Sequence, residues 1–168
     1  ELANLIDTVH NQGLSFDRLT DLVPEEYAVH WQETLKFLQI ITEYWPQILA
    51  ERQLIDASDR RNRLLRAQID LWRQNPPVKR IVAAGTTAAF PLMKELVKTV
   101  LSLEKGELYL AGIDKFLEDE AWEKIDETHP QHELKELLDY LTVRREDIPD
   151  LQAPENFGRE VLISEVMR

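Results

Sequence analysis

The sequence predicts an α/β protein: a helical first half, then a strand–helix–strand unit, then further helices. Three observations carry this expectation. Apolar residues recur three or four apart from Leu2 to Trp72. Pro76–Pro77 breaks that pattern, and a short β-branched run, "VKRIVAAG" at 78–85, follows it. A second such run, "ELYLAGI" at 107–113, lies one helix further on, in the proportions of a right-handed parallel crossover.

Taken in order, Leu2, Leu5, Ile6 and Val9 make the first helical repeat, which stops near Gly13. "SFDRLTDLV" is a short turn or helix with Ser15 as its cap. Pro24 opens what reads as the longest helix, with Glu25 and Glu26 at its positive end and a stripe of Tyr27, Trp31, Leu35, Leu38, Ile41 and Trp45. Pro46 cannot donate to the helical ladder, so a kink or restart is expected there. Asp56 or Ser58 caps the next helix, which carries Leu64, Leu65, Ile69 and Leu71 to Trp72. The run at 78–85 reads as a buried strand. Leu92, Leu96, Val97, Val100 and Leu101 mark a helix over 91–104, with Gly106 as its C-terminal cap. Beyond the second strand, "LEDEAWEKI" and "PQHELKELLDYL" are helical, Pro149 and Pro154 mark a loop, and a last helix starts near Asn156. Residues 1–76 thus form a helical region and 77–168 an α/β region. Two strands do not make a stable sheet alone. With a first residue that is not Met and lies inside a helical repeat, this suggests a segment of a longer protein.

Charge and composition narrow the function classes. Apolar residues make up 43% and charged residues 30%, which suits a globular chain and not a disordered one. There is no apolar run long enough to span a membrane, and no secretory signal pattern. The absence of Cys removes disulfides, thiolate metal sites and Cys nucleophiles, and is compatible with the expected cytoplasmic location. The net charge of −11 argues against a nucleic-acid footprint over the whole surface. Residues 1–50 hold eight acidic and two basic side chains, and residues 81–168 nineteen and ten. Residues 51–80 reverse the balance, with four acidic and eight basic. Only this stretch, with Arg60, Arg61, Arg63 and Arg66, could meet a DNA backbone or an acidic partner; the alternative is a solvated helix face.

"RIVAAGTTAAFP" at 80–91 has the form of a strand handing over to a helix, where free backbone N–H groups suit phosphate. Gly85, Thr86 and Thr87 are its candidate nucleotide-binding residues. The Lys and second Gly of a phosphate loop are missing, and Ala83–Ala84–Gly85 stand where a magnesium-holding carboxylate would be. The alternative is a plain structural turn. Asp114, at the end of "LAGID", could orient a ligand or cap the following helix, and the cap is the reading adopted. His129 and His132 in "HPQH" read as a helix start at Pro130, since a zinc site needs further ligands. Glu118, Asp119 and Glu120 suit a solvated helix start. No catalytic residue, metal ligand or cofactor is expected.

Several stretches together resemble one family. "HWQETLKFLQIITEYWPQILAERQL", "RRNRLL", "AAGTTAAFP", "GELYLAGID", "HPQHELKELLDYL" and "REVLISEVMR" are similar, in order and spacing, to the AddB subunit of the bacterial double-strand-break repair helicase–nuclease, in its alphaproteobacterial form. The resemblance runs from about residue 2 to residue 168. It implies a helical insertion followed by part of an inactivated RecA-like core of superfamily I type, within a longer chain whose nuclease centre lies outside this segment. It further implies a non-catalytic role in forming the DNA channel, with an AddA-type motor subunit as partner. Ala88 and Ala89 stand where the family usually has Gly-Ser, and Ala111 where it has Pro, which argues against phosphate binding at this loop.

Overall fold

The computed structural model describes residues 1–14, 16, 34, 36–151 and 157–167. Over these residues the chain is mixed α/β, mostly helical, with a two-stranded parallel sheet. It divides into two units: Glu1–Asp70 with Phe90–Leu92, and Leu71–Ala89 with Met93–Arg168. The expected cap at Ser15, the helix start at Pro24 with Tyr27, Trp31 and Leu35, and Pro154 and Asn156 lie outside the described residues.

In the first unit, α1 spans Leu2–Asn11 and ends where Gly13 takes a φ of +69°, a left-handed conformation that suits glycine. The Leu14 N–H then reaches back to the Val9 carbonyl at 3.0 Å. Residues 36–39 are helical, and a π turn over Ile40–Tyr44 leads into α2, Trp45–Glu51. Pro46 explains this widening. It lacks the N–H that would continue the α ladder, so the helix opens one residue earlier and restarts with Pro46 in its first turn.

The next helix, α3, spans Ala57–Gln74 and is capped by Asp56, whose Oδ1 accepts the Ser58 N–H at 2.8 Å. Its inward face keeps part of the expected stripe: Ile69 is buried and Leu65 and Trp72 are half-buried. Leu64 and Leu71 are exposed, and the buried residues are Ser58, Asn62 and Ile69. The reason is polar docking on α1. Ser58 donates to the Asp7 carboxylate, Asn62 Nδ2 donates to the His10 carbonyl at 2.7 Å, and Arg61 donates to Asn11 Oδ1. The inward face is therefore polar at its start, with Ser58 and Asn62, and apolar further on, with Leu65, Ile69 and Trp72.

The second unit is built on β1 (Ile81–Ala84) and β2 (Gly106–Tyr109), paired in parallel with Ile81 opposite Gly106 and Ala84 opposite Tyr109. The crossover is α4, Pro91–Ser102. After β2 come α5 (Asp119–Glu123), α6 (His132–Leu141), a 3₁₀ turn (Arg145–Asp147) and α7 (Phe157–Met167). Leu134, Leu137 and Leu138 of α6 are buried at helical spacing. Leu137 packs with Ala88 and Val97, and Leu138 with Leu117 and Trp122.

Three expectations are corrected here. The first strand is not fully buried: it alternates, with Val82 46% exposed, because a single pair of strands is covered on one face only. The second strand stops at Tyr109, not Ile113, since Gly112 turns the chain at a φ of +78°. Gly106 is no left-handed cap; it is the first residue of β2. A Cβ there would lie 1.7 Å from the Val100 carbonyl oxygen, so the end of α4 packs directly on its backbone.

Two outcomes follow from this packing. Gly106→Ala should lower unfolding free energy by about 3 kcal/mol, since backbone must move to admit the methyl. Chemical denaturation checks it, and wild-type stability in the variant would refute the close approach. Asp56 supplies a pH dependence. Burial alone would push its carboxyl up, but the Ser58 and Asp59 N–H groups together with His10 outweigh burial and hold it below the usual 3.8. A carboxyl depressed on folding contributes stability above its unfolded pKa and loses it as pH falls through the folded one. Stability should therefore drop below about pH 4, and Asp56→Asn, which keeps a capping oxygen, should make that drop shallower. Unchanged acid sensitivity in Asp56→Asn would contradict this.

Candidate functional site

Parallel pairing sends the chain out of β1 and β2 at the same end of the sheet, where open α/β sheets bind their ligands. The N-terminal end of α6 reaches both exits. Glu133 contacts the loop after β1, and Gln131 the loop after β2.

The exit from β1 holds Gly85, Thr86 and Thr87. Gly85 takes a φ of +67°, and its N–H goes to the Tyr109 carbonyl at 3.3 Å. Thr86 Oγ1 accepts the Ala88 N–H at 2.9 Å, a local turn that consumes another donor. Ala88 sits at a φ of +51°, a conformation costing about 1 kcal/mol for a residue with a Cβ. Burial of its methyl against Val97 and Leu137 holds it there. The Thr87 hydroxyl donates to the Glu133 carboxylate. Pro91, the first residue of α4, has no N–H to offer. Lys94, in the first turn of α4, is bonded to Glu136 at 2.8 Å, and its ammonium holds the Glu136 carboxyl below the usual range. A phosphate at Thr86–Thr87 would thus meet the Glu133 carboxylate, a lysine engaged by Glu136, and the N–H groups of Gly85 and Ala88 already bonded. Of this loop Ala88 is buried, Thr86 and Thr87 are half-buried and Gly85 is exposed.

The exit from β2 is different. A cleft of about 650 Å³ opens beyond the strand, with Leu110, Ile113, Asp114, Phe116, Ile148 and Leu151 among its walls. Asp114 is buried, and its Oδ1 accepts the N–H groups of Phe116 at 2.9 Å and Leu117 at 3.0 Å. It therefore caps a turn, not the following helix, which begins only at Asp119 with Glu118 before it. Gln131 clamps this loop twice, accepting the Asp114 N–H at 3.1 Å and donating to the Gly112 carbonyl at 2.8 Å. On the far side the buried Arg145 donates to the Asp114 carbonyl at 3.3 Å and to Asp119 at 2.5 Å, and lies over the Trp122 ring at 5.0 Å. Lys115 bonds the Ile148 carbonyl and, at 2.6 Å, Asp150.

Neither Gln131 nor Arg145 stands out in the sequence. A buried glutamine and a buried arginine among acidic neighbours carry no local pattern that separates them from surface residues. His129 Nδ1 accepts the Gln131 N–H at 3.0 Å, which makes it part of the turn into α6. Among the described residues, no group of three His, Asp or Glu could hold a metal ion, and no helix is long and apolar enough to cross a membrane.

The arginine group belongs to α3 of the first unit. Arg61 is turned toward α1, bonded to Asn11 and lying 5.3 Å from the Phe90 ring centre. Arg63 pairs with Asp59 at 2.7 Å and stays 62% exposed. Arg60 and Arg66 are exposed on the same helix. All four arginines are exposed, and Arg61 differs in being held by Asn11 and Phe90.

No protein-family model matches this chain, and no curated protein or solved structure matches it.

The Gln131 clamp gives a direct test. Gln131→Leu keeps the volume but strips the buried Asp114 N–H and the part-buried Gly112 carbonyl of their partner, which should cost about 2 kcal/mol. Denaturation measures that loss, and a neutral effect would mean the loop does not depend on Gln131.

Proposed function

We propose that this chain is a non-catalytic, helicase-like segment of an AddB-type DNA double-strand-break repair helicase–nuclease, helping to form the DNA channel and to assemble with an AddA-type motor subunit. The observation that carries this reading is the exit from β1. A strand–turn–helix of nucleotide-site form lacks the phosphate-loop Lys and a strand-end carboxylate, while Thr87 donates to Glu133 and Lys94 is paired with Glu136. Two surfaces support the remainder. Arg60, Arg63 and Arg66 put positive charge on one exposed stretch of an otherwise acidic chain, suited to a DNA backbone or an acidic partner. Phe37, Ile40, Tyr44 and Ile48 lie exposed three or four residues apart along one helical stretch, an apolar stripe of the kind subunit contacts bury.

The test is co-purification with an AddA-type motor subunit, followed by anisotropy of a labelled single-stranded oligonucleotide over a salt series. Wild type should be retained by the motor subunit. Replacing Arg60, Arg63 and Arg66 by Glu should weaken DNA binding and lower its salt slope by about one for each phosphate that an arginine no longer neutralises. No retention, or an unchanged affinity and salt slope in the triple variant, would count against this function.

A further inference from the structure

We propose that the cleft beyond β2 binds a small organic cation, an ammonium or guanidinium head on an apolar body, with the Asp114 carboxylate as its counter-charge. The proposal does not rest on the DNA-repair reading. It starts from one atom. Asp114 Oδ1 is satisfied by two backbone N–H groups, whereas Oδ2 is buried with no hydrogen-bond partner among the described residues. A buried carboxylate oxygen without a donor is costly and therefore uncommon. Asp114 is also among the residues that line the cleft.

The surrounding charges decide the sign of the ligand. Lys115 is engaged by the Ile148 carbonyl and Asp150, so that pair contributes no net charge. The Arg145 guanidinium is directed at Asp119, Glu146 and the Asp114 backbone carbonyl. Among the described lining residues, Asp114 therefore leaves one negative charge in excess, which repels a phosphate and attracts a cation. The walls set the rest of the ligand. Leu110, Ile113, Phe116, Ile148 and Leu151 offer apolar surface, and about 650 Å³ lies within the range of small-molecule sites. Gln131 accepts the Asp114 N–H and Arg145 donates to the Asp114 carbonyl, so the carboxylate is held in place before any ligand arrives.

Titration of the ¹⁵N-labelled chain with phenethylamine, followed by amide chemical shifts, tests this. Saturable shifts should centre on residues 112–117, and phenylacetate, with a similar body and opposite charge, should leave them unmoved. Asp114→Asn keeps an oxygen for the Phe116 and Leu117 N–H groups but presents NH₂ in place of Oδ2, so affinity should fall about tenfold or more with the spectrum otherwise native. N-acetyl-lysine methylamide separates two sources of the same head group. Tighter binding than phenethylamine assigns the site to a partner protein's basic side chain, weaker binding to a free amine, and either order supports it. Equal shifts with phenylacetate, no saturable shifts with phenethylamine, or undiminished binding by Asp114→Asn would overturn the proposal. The wild-type comparison of amine with carboxylate decides even where Asp114→Asn fails to fold.

Discussion

The second unit depends on the direct contact between Gly106 and the Val100 carbonyl. A parallel pair needs a crossover, and this crossover is short: α4 ends at Ser102 and β2 begins at Gly106. The chain reverses in that space only because the last turn of α4 rests on a residue with no side chain. The contact brings Gly106 opposite Ile81, and the register of the remaining pairs follows. Register in turn aligns the two strand exits, and Leu134, Leu137 and Leu138 then bury the face of α6 whose start reaches both loops.

From that start two unlike environments arise a few residues apart. Glu133 is placed in the first turn of α6, where the positive helix end favours a carboxylate, and it meets the loop after β1. Gln131, just before the helix, supplies a neutral clamp to the loop after β2. One exit is closed by packed alanine and a negative charge. The other keeps a cleft with an acidic floor. A single helix terminus thus opposes phosphate at one site and shapes a cavity of the opposite preference at the next.

Much of the element order was legible in the sequence because Pro, Gly and apolar period mark it directly. The breaks at Gly13 and Pro76–Pro77, a cap at Asp56 or Ser58 and a kink or restart at Pro46 all act through backbone geometry close to the residue concerned, and the structure selects Asp56 and the restart. What was not legible depends on partners distant in sequence. Leu64 and Leu71 fit a helical period, but α3 turned Ser58 and Asn62 inward because α1 offered Asp7 and the His10 carbonyl. Gly106 was expected to end a helix, and only the folded position of Val100 shows why it opens a strand. In the site, Asp114 was visible as a carboxylate after a strand, whereas Gln131 and Arg145 become meaningful only once the chain has brought them to it.

The central claim is that the strand–turn–helix of nucleotide-site form is a structural turn. Calorimetric titration of the chain with ATP and magnesium, paired with an assay for released phosphate, tests it most directly. The account predicts no saturable binding in the micromolar range and no phosphate release above buffer. Micromolar binding accompanied by steady phosphate release would contradict it.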